Sequence, residues 1–209
     1  MTRLAFTILE LIFVIVIIGI MAALVIPRMD RDVRMEATNQ LLTHIKYTQH
    51  LAMTEDVYSD VVANWFLARW TIQLYACGGY VVYTDTNLGG GANRAEAALE
   101  PQSRKSLFID NLCTMPMPVT DYEKVNLAGY FDVTNISTIG CGVAPGLSIA
   151  FDTLGRPYSS ATINGVLQQN CEITLTFNSG LPEIIRIHPE TGYACILDRL
   201  NTPFPFDCL

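Results

Sequence analysis

Charged residues are scarce in this sequence: 16% of 209 positions, against about a quarter in an average soluble domain. Half of the residues are apolar, which excludes a disordered or solvated tail. Bases are the scarcer charge, 13 against 20 acids, so the net charge of −7 argues against a broad nucleic-acid-binding face. From Val57 onward the balance is 8 bases to 14 acids. Histidine occurs three times and never at zinc-ligand spacing, and there is no C-x-x-C. G-x-S-x-G, the phosphate-cradling G-x-x-x-x-G-K and H-E-x-x-H are all missing, so no catalytic arrangement is legible and the chain does not read as an enzyme. Cysteine is absent from the first third, then occurs six times, at Cys77, Cys113, Cys141, Cys171, Cys195 and Cys208.

What is abundant is a single apolar run. Phe6 to Ile26 contains 21 residues, nearly all apolar, about the length a helix needs to cross a bilayer core. A secretory signal would have a shorter apolar core followed by a small-residue cleavage site. Here the run continues into Pro27 and a charged helix. Inside it stands one carboxylate, Glu10. Burying that charge near a helix centre costs roughly 3 kcal/mol on insertion scales, so it either lies shallow enough to reach the headgroups or pairs with a positive group in an assembly.

Ala5-Phe6-Thr7-Ile8-Leu9-Glu10-Leu11, followed by VIVIIGIMAALVIP, resembles the class III leader of type IV pilins and type II secretion pseudopilins. The resemblance implies cleavage between Ala5 and Phe6 by a prepilin peptidase and methylation of the new Phe6 amine. It also implies that Glu10 pairs with the N-terminal amine of a neighbouring subunit. Ala5 stands where the family usually has glycine. The implied order is leader 1–5, transmembrane helix 6–27, amphipathic continuation 28–56 and an extracytoplasmic β-rich domain 57–209. Arg28, Arg31 and Arg34 follow the span while only Arg3 precedes it, so the basic residues by themselves favour the opposite orientation. The leader and the cysteines nevertheless place the bulk outside the cytoplasm, on a single-pass anchor in a bacterial inner membrane or in an extracellular filament.

Beyond Pro27, which would kink or loosen the helix, Ala37, Leu41, Leu42, Ile45, Thr48 and Ala52 recur at helical spacing with Arg34, Asn39, Lys46 and Gln49 between them. A helix from Phe6 to Met53 would be about 70 Å long, and its single stripe calls for a sheet to cover it. His44 and His50 do not share a helix face and read as surface or sheet-contact residues. After Asp56 the pattern alternates, with strand signals at Trp70–Leu74, Tyr80–Tyr83, Leu147–Phe151, Ile173–Phe177, Ile184–Ile187 and Tyr193–Ile196. Asn178-Ser179-Gly180 and Pro189-Glu190-Thr191-Gly192 are turn signals. The stretch from Asn87 to Gly146 reads mostly as loops. Fold class is therefore α+β, the resemblance implying a pilin fold: a long N-terminal helix on an antiparallel sheet, read as a meander, or on a small β-sandwich.

The runs Phe151-Asp152-Thr153-Leu154-Gly155-Arg156-Pro157, Ile173 to Thr176, and Ile187 to Gly192 are similar to the minor H-type pseudopilins and their fimbrial-T-type relatives. That implies a structural minor subunit whose partners are other pilin or pseudopilin subunits, the prepilin peptidase, the inner-membrane assembly platform and membrane lipid. The alternative is a minor pilin that captures DNA, which the acidic balance disfavours. A third reading, an unrelated anchored domain, would show no processing of its leader.

Six cysteines in an exported domain give up to three disulfides with fifteen connectivities, or leave some thiols free. Cys195 and Cys208 would close the shortest loop. Asp85, Asn87, Asn93 and Glu96 fall at positions 1, 3, 9 and 12 of a twelve-residue segment, with Gly90 at position 6 and the Gly91 carbonyl at position 7. This is calcium-loop spacing, although Gly89 at position 5 offers no ligand side chain. The competing reading is a glycine-rich loop followed by a short helix.

Overall fold

A computed structural model describes residues 8–142, 147–159, 165–198 and 207–208, with backbone only for 22–32, Asp198 and Asp207. Helix α1 runs from Ile8 to Thr54, 47 residues. Its C-terminal half buries Ala37, Thr38, Leu41, His44, Ile45, Thr48 and Ala52, while Leu42 is half-buried and Asn39 and Lys46 face solvent. This is the expected stripe, shifted slightly toward His44. The buried hydroxyls of Thr38 and Thr48 donate to the carbonyls one turn back, Arg34 O at 2.9 Å and His44 O at 2.7 Å, so neither enters the core unsatisfied.

Nine strands follow: β1 Thr71–Tyr75, β2 Gly79–Tyr83, β3 Val133–Ile139, β4 Leu147–Phe151, β5 Pro157–Ser159, β6 Cys171–Phe177, β7 Glu183–Ile187, β8 Ala194–Asp198 and β9 Asp207–Cys208. A short helix α2, Leu127–Phe131, precedes β3. The strands form two antiparallel sheets, ordered β2-β1-β4-β5 and β3-β6-β7-β8-β9. The architecture is α+β. It is not one meander, because β3 leaves the first sheet and joins β6, and β4 returns to pair with β1. The stretch read as loops holds α2 and β3. β6 alternates buried and half-buried residues along its whole length, the mark of a sheet with one face on the core. β2 is buried along its whole length, and the chain from Ala97 to Leu107 lies along its outer edge, with Ala98 N donating to Val82 O and Val82 N to Leu107 O. α1 packs on β7 and β8 of one sheet and on β1 and β4 of the other, and the apolar side chains of all three bodies form one core.

Gln49 stands where these bodies meet. Its Nε2 donates to Gly155 O in the β4–β5 turn at 2.9 Å and to Thr191 O in the β7–β8 turn at 3.0 Å. Gly155 (φ +77°) and Gly192 (φ +66°) have left-handed backbones, and a Cβ on Gly192 would sit 2.2 Å from Gly155 O. Close approach of two turns under one amide is therefore why both motifs carry glycine. The aspartate of the first motif closes its own turn. Asp152 Oδ1 accepts from Leu154 N and Arg156 N, and Oδ2 accepts from Arg156 Nε at 2.7 Å and from the Tyr158 hydroxyl at 3.2 Å.

Candidate assembly surface and neighbouring sites

From Ile8 to Met21 every apolar side chain is exposed, Val14 the least at 43%. Exposure all round a helix means that no face of it is covered by the domain, in contrast to the one-sided stripe from Ala37 to Ala52. Bringing these side chains out of water is worth on the order of 30 kcal/mol at about 25 cal/mol per Å². Glu10 lies in the first described turn and is exposed. Ala5 and Phe6 lie outside the described residues, as do Thr7 and the side chains of Ala22 to Ile26 in the apolar run. Among the described residues no helix is long and apolar enough to cross a membrane.

The three cysteine pairs are Cys77–Cys113, Cys141–Cys171 and Cys195–Cys208, with Cα separations of 6.0, 4.4 and 5.5 Å. The first ties the β1–β2 turn to the loop after Ile109. The second joins the segment after β3 to the first residue of β6, and the third fastens β9 to β8. His188 Nε2 is 3.9 Å from Cys208 Sγ, and His188, Cys195 and Cys208 form a compact triad of potential ligands. The disulfide takes up both thiolates that a metal would need.

The 85–96 segment closes on itself. Buried Asp85 accepts from Gly89 N at 3.0 Å through Oδ1 and from Gly90 N at 2.7 Å through Oδ2. Asn87 Oδ1 accepts from Gly89 N, and Asn93 Oδ1 accepts from Ala95 N. Glu96 Oε1 accepts from the Thr86 hydroxyl and from Asn87 N, each at 2.8 Å, and Oε2 accepts from Asn93 Nδ2. The carboxylates that would bind a cation are thus engaged by N–H and O–H donors of the loop itself. Gly91 makes no close approach that a Cβ would disturb. A short 3₁₀ turn, Arg94–Glu96, stands where the sequence suggested a helix.

Two features were not spelled out by the sequence, the first wholly and the second in its partner. The first is a cavity of about 310 Å³ between the end of α1, the Val57–Arg69 segment and the β4–β5 hairpin. The Arg69 guanidinium lies 4.0 Å from the Tyr158 ring centroid and 5.0 Å from that of Trp65, while Trp70 Nε1 donates to Glu55 Oε2 at 2.9 Å. Its lining includes no histidine, cysteine, serine or lysine, so it presents no nucleophile beside an imidazole base. The second is the buried contact of His44 with β2, where Nδ1 is 2.6 Å from the Tyr80 hydroxyl and Nε2 is 3.4 Å from Gln40 Nε2. Burial lowers the His44 pKa to about 4, partly offset by the charge of Glu100, and burial likewise raises that of Tyr80. His44 is thus a neutral sheet-contact residue. His50 is exposed.

Compared with known proteins, the chain matches no family profile, no curated protein and no solved structure.

Proposed function

We infer that this chain is a minor subunit of a pilin-type filament, a type II secretion pseudopilus or a type IV pilus. A prepilin peptidase removes residues 1–5, the segment 6–27 anchors the subunit in the inner membrane, and the domain from Val57 lies outside the cytoplasm. The observation that carries this reading is the unbroken helix α1, apolar on every side from Ile8 to Met21 and then apolar on one side where the domain covers it. One element thus presents a surface for lipid or neighbouring helices and a surface for its own sheets. Glu10, early in that helix, is the charge that meets the Phe6 amine of a neighbour. The subunit leaves lipid for a bundle of sister helices when the assembly platform extracts it.

The reading is tested with Glu10→Ala in native membranes. The variant is expected to insert and be processed normally, to start at N-methylated Phe6, and to be depleted from the filament. Normal incorporation of the variant overturns the role of Glu10. A mature chain that still starts at Met1 overturns the filament reading altogether.

A further inference from the structure

Strand alternation gives the second sheet a small apolar patch of its own. Ile185, Ile187, Ala194 and Ile196 join the main core, while Ile184, Cys195 and Leu197 cluster apart from it with Cys208 packed against them. Residues two apart on a strand share a face, so His188, one residue past the end of β7, follows Ile184 and Arg186. Its amide donates to Tyr193 O at 2.8 Å and carries the ladder into the turn. Register supplies the other two groups: Cys195 stands opposite Arg186, and Cys208 opposite Leu197. One imidazole nitrogen and two sulfurs therefore meet, all within 4.8 Å of one another, with His188 Nε2 3.9 Å from Cys208 Sγ. No aspartate or glutamate joins the group, and among the described residues no other cysteine pair has a third ligand beside it.

We propose that this corner is a redox-controlled metal site. The Cys195–Cys208 disulfide closes it; once a dithiol has reduced that bond, Cys195, Cys208 and His188 hold one Zn²⁺. The dithiol passes two electrons and two protons to the S–S bond and leaves as a cyclic disulfide. Zn²⁺ then displaces both thiol protons to solvent. Thiolate and imidazole donors suit zinc and do not suit calcium or magnesium, which need oxygens. Two thiolates and a neutral imidazole around Zn²⁺ carry no net charge, which matches a patch walled by Ile184 and Leu197. Tetrahedral zinc sets two sulfurs about 3.8 Å apart, and a sulfur and a nitrogen about 3.6 Å apart, with water in the fourth position. The His188–Cys208 distance already stands near that value. Parting the two sulfurs needs side-chain movement only, since the two Cα atoms are 5.5 Å apart. Nothing in this site depends on the membrane anchor, so it stands or falls apart from the filament reading.

The test uses the full-length protein in detergent, reduced with dithiothreitol that is then removed without air. ZnCl₂ is added, a pulse of iodoacetamide follows, and mass spectrometry reads alkylation at each cysteine. At about a hundred times its binding midpoint, zinc is expected to slow alkylation of Cys195 and Cys208 about a hundredfold. The rate at exposed Cys77 is expected to stay unchanged. His188→Ala, which keeps both thiolates, is expected to raise the zinc midpoint at least about tenfold. The unreduced protein is expected to retain no zinc in equilibrium dialysis. No slowing, or equal slowing at all six cysteines, overturns the site. An unchanged midpoint in His188→Ala overturns the imidazole as a ligand and with it the three-ligand site. Zinc held equally by the unreduced protein overturns the redox control.

Discussion

Acidification should destabilise this domain through one imidazole. His44 has an ordinary value near 6.5 in the unfolded chain and is held at about 4 in the fold, because burial against Tyr80 disfavours the charged ring more than the charge of Glu100 favours it. A lowered histidine pKa means that the unfolded state binds the proton first. The stability held above pH 6.5 is therefore lost as pH falls, and the loss is complete below pH 4. Across the whole window the shift corresponds to about 3 kcal/mol at 1.36 kcal/mol per unit. Between pH 7 and pH 5 it corresponds to about 2 kcal/mol, or roughly 4–8 °C in Tm for a chain of this size. The assay is thermal unfolding of the detergent-solubilised protein by near-UV circular dichroism at half-unit steps from pH 7 to pH 5. His44→Gln keeps a polar partner for the Tyr80 hydroxyl and removes the titration, so its curve should be flatter than that of the native chain by that amount. Parallel curves would refute the reasoning, since every carboxylate contribution is common to both proteins.

Other outcomes follow from the same geometry. Replacing Cys195 and Cys208 together by serine opens a loop of sequence separation 13 and should lower stability by about 3 kcal/mol in the chain-entropy model; urea midpoints of the two proteins measure the difference. Gly192→Ala forces a side chain into a left-handed backbone and against Gly155 O, with an expected loss of about 2–4 kcal/mol. An unchanged urea midpoint in that variant would mean that the two turns are not held together. Adding calcium or chelator should leave Tm unchanged, because loop donors already engage Asp85 and Glu96; a calcium-dependent rise would restore the segment 85–96 as a cation site.

Much of this architecture could be read in advance, for identifiable reasons. The stripe on α1 and the core strands β1, β6 and β7 carry a period that burial on one face imposes. The Asn178-Ser179-Gly180 turn carries the glycine its positive φ requires. β3 escaped because Val133-Thr134-Asn135-Ile136-Ser137-Thr138-Ile139 sits on an edge. Only Val133 and Ile136 are buried, so the alternation that marks a strand is faint. β5 and β9 were too short to show any period. His44 was legible as a sheet contact, but its partner on β2, 36 residues away, was not. The cavity around Arg69 is made by three segments remote in sequence, and no local pattern announces it. The calcium spacing did not foretell the internal hydrogen bonding of the segment, because the oxygens that serve a cation serve backbone amides equally well in a tight glycine-rich turn, and the bonding by itself does not decide between the two.

The Gln49 amide, which holds one turn from each sheet, has a mechanical consequence. If the chain is the filament subunit proposed above, it is loaded through α1, and the load must pass from the rod to the domain. Gln49 donates to both turns from a single side chain, so a pull along α1 is shared between the two sheets and does not peel one from the other. The helix end therefore works as a rivet through two plates. Shear strength under load, not resting stability, is the property that Gln49→Ala would weaken most.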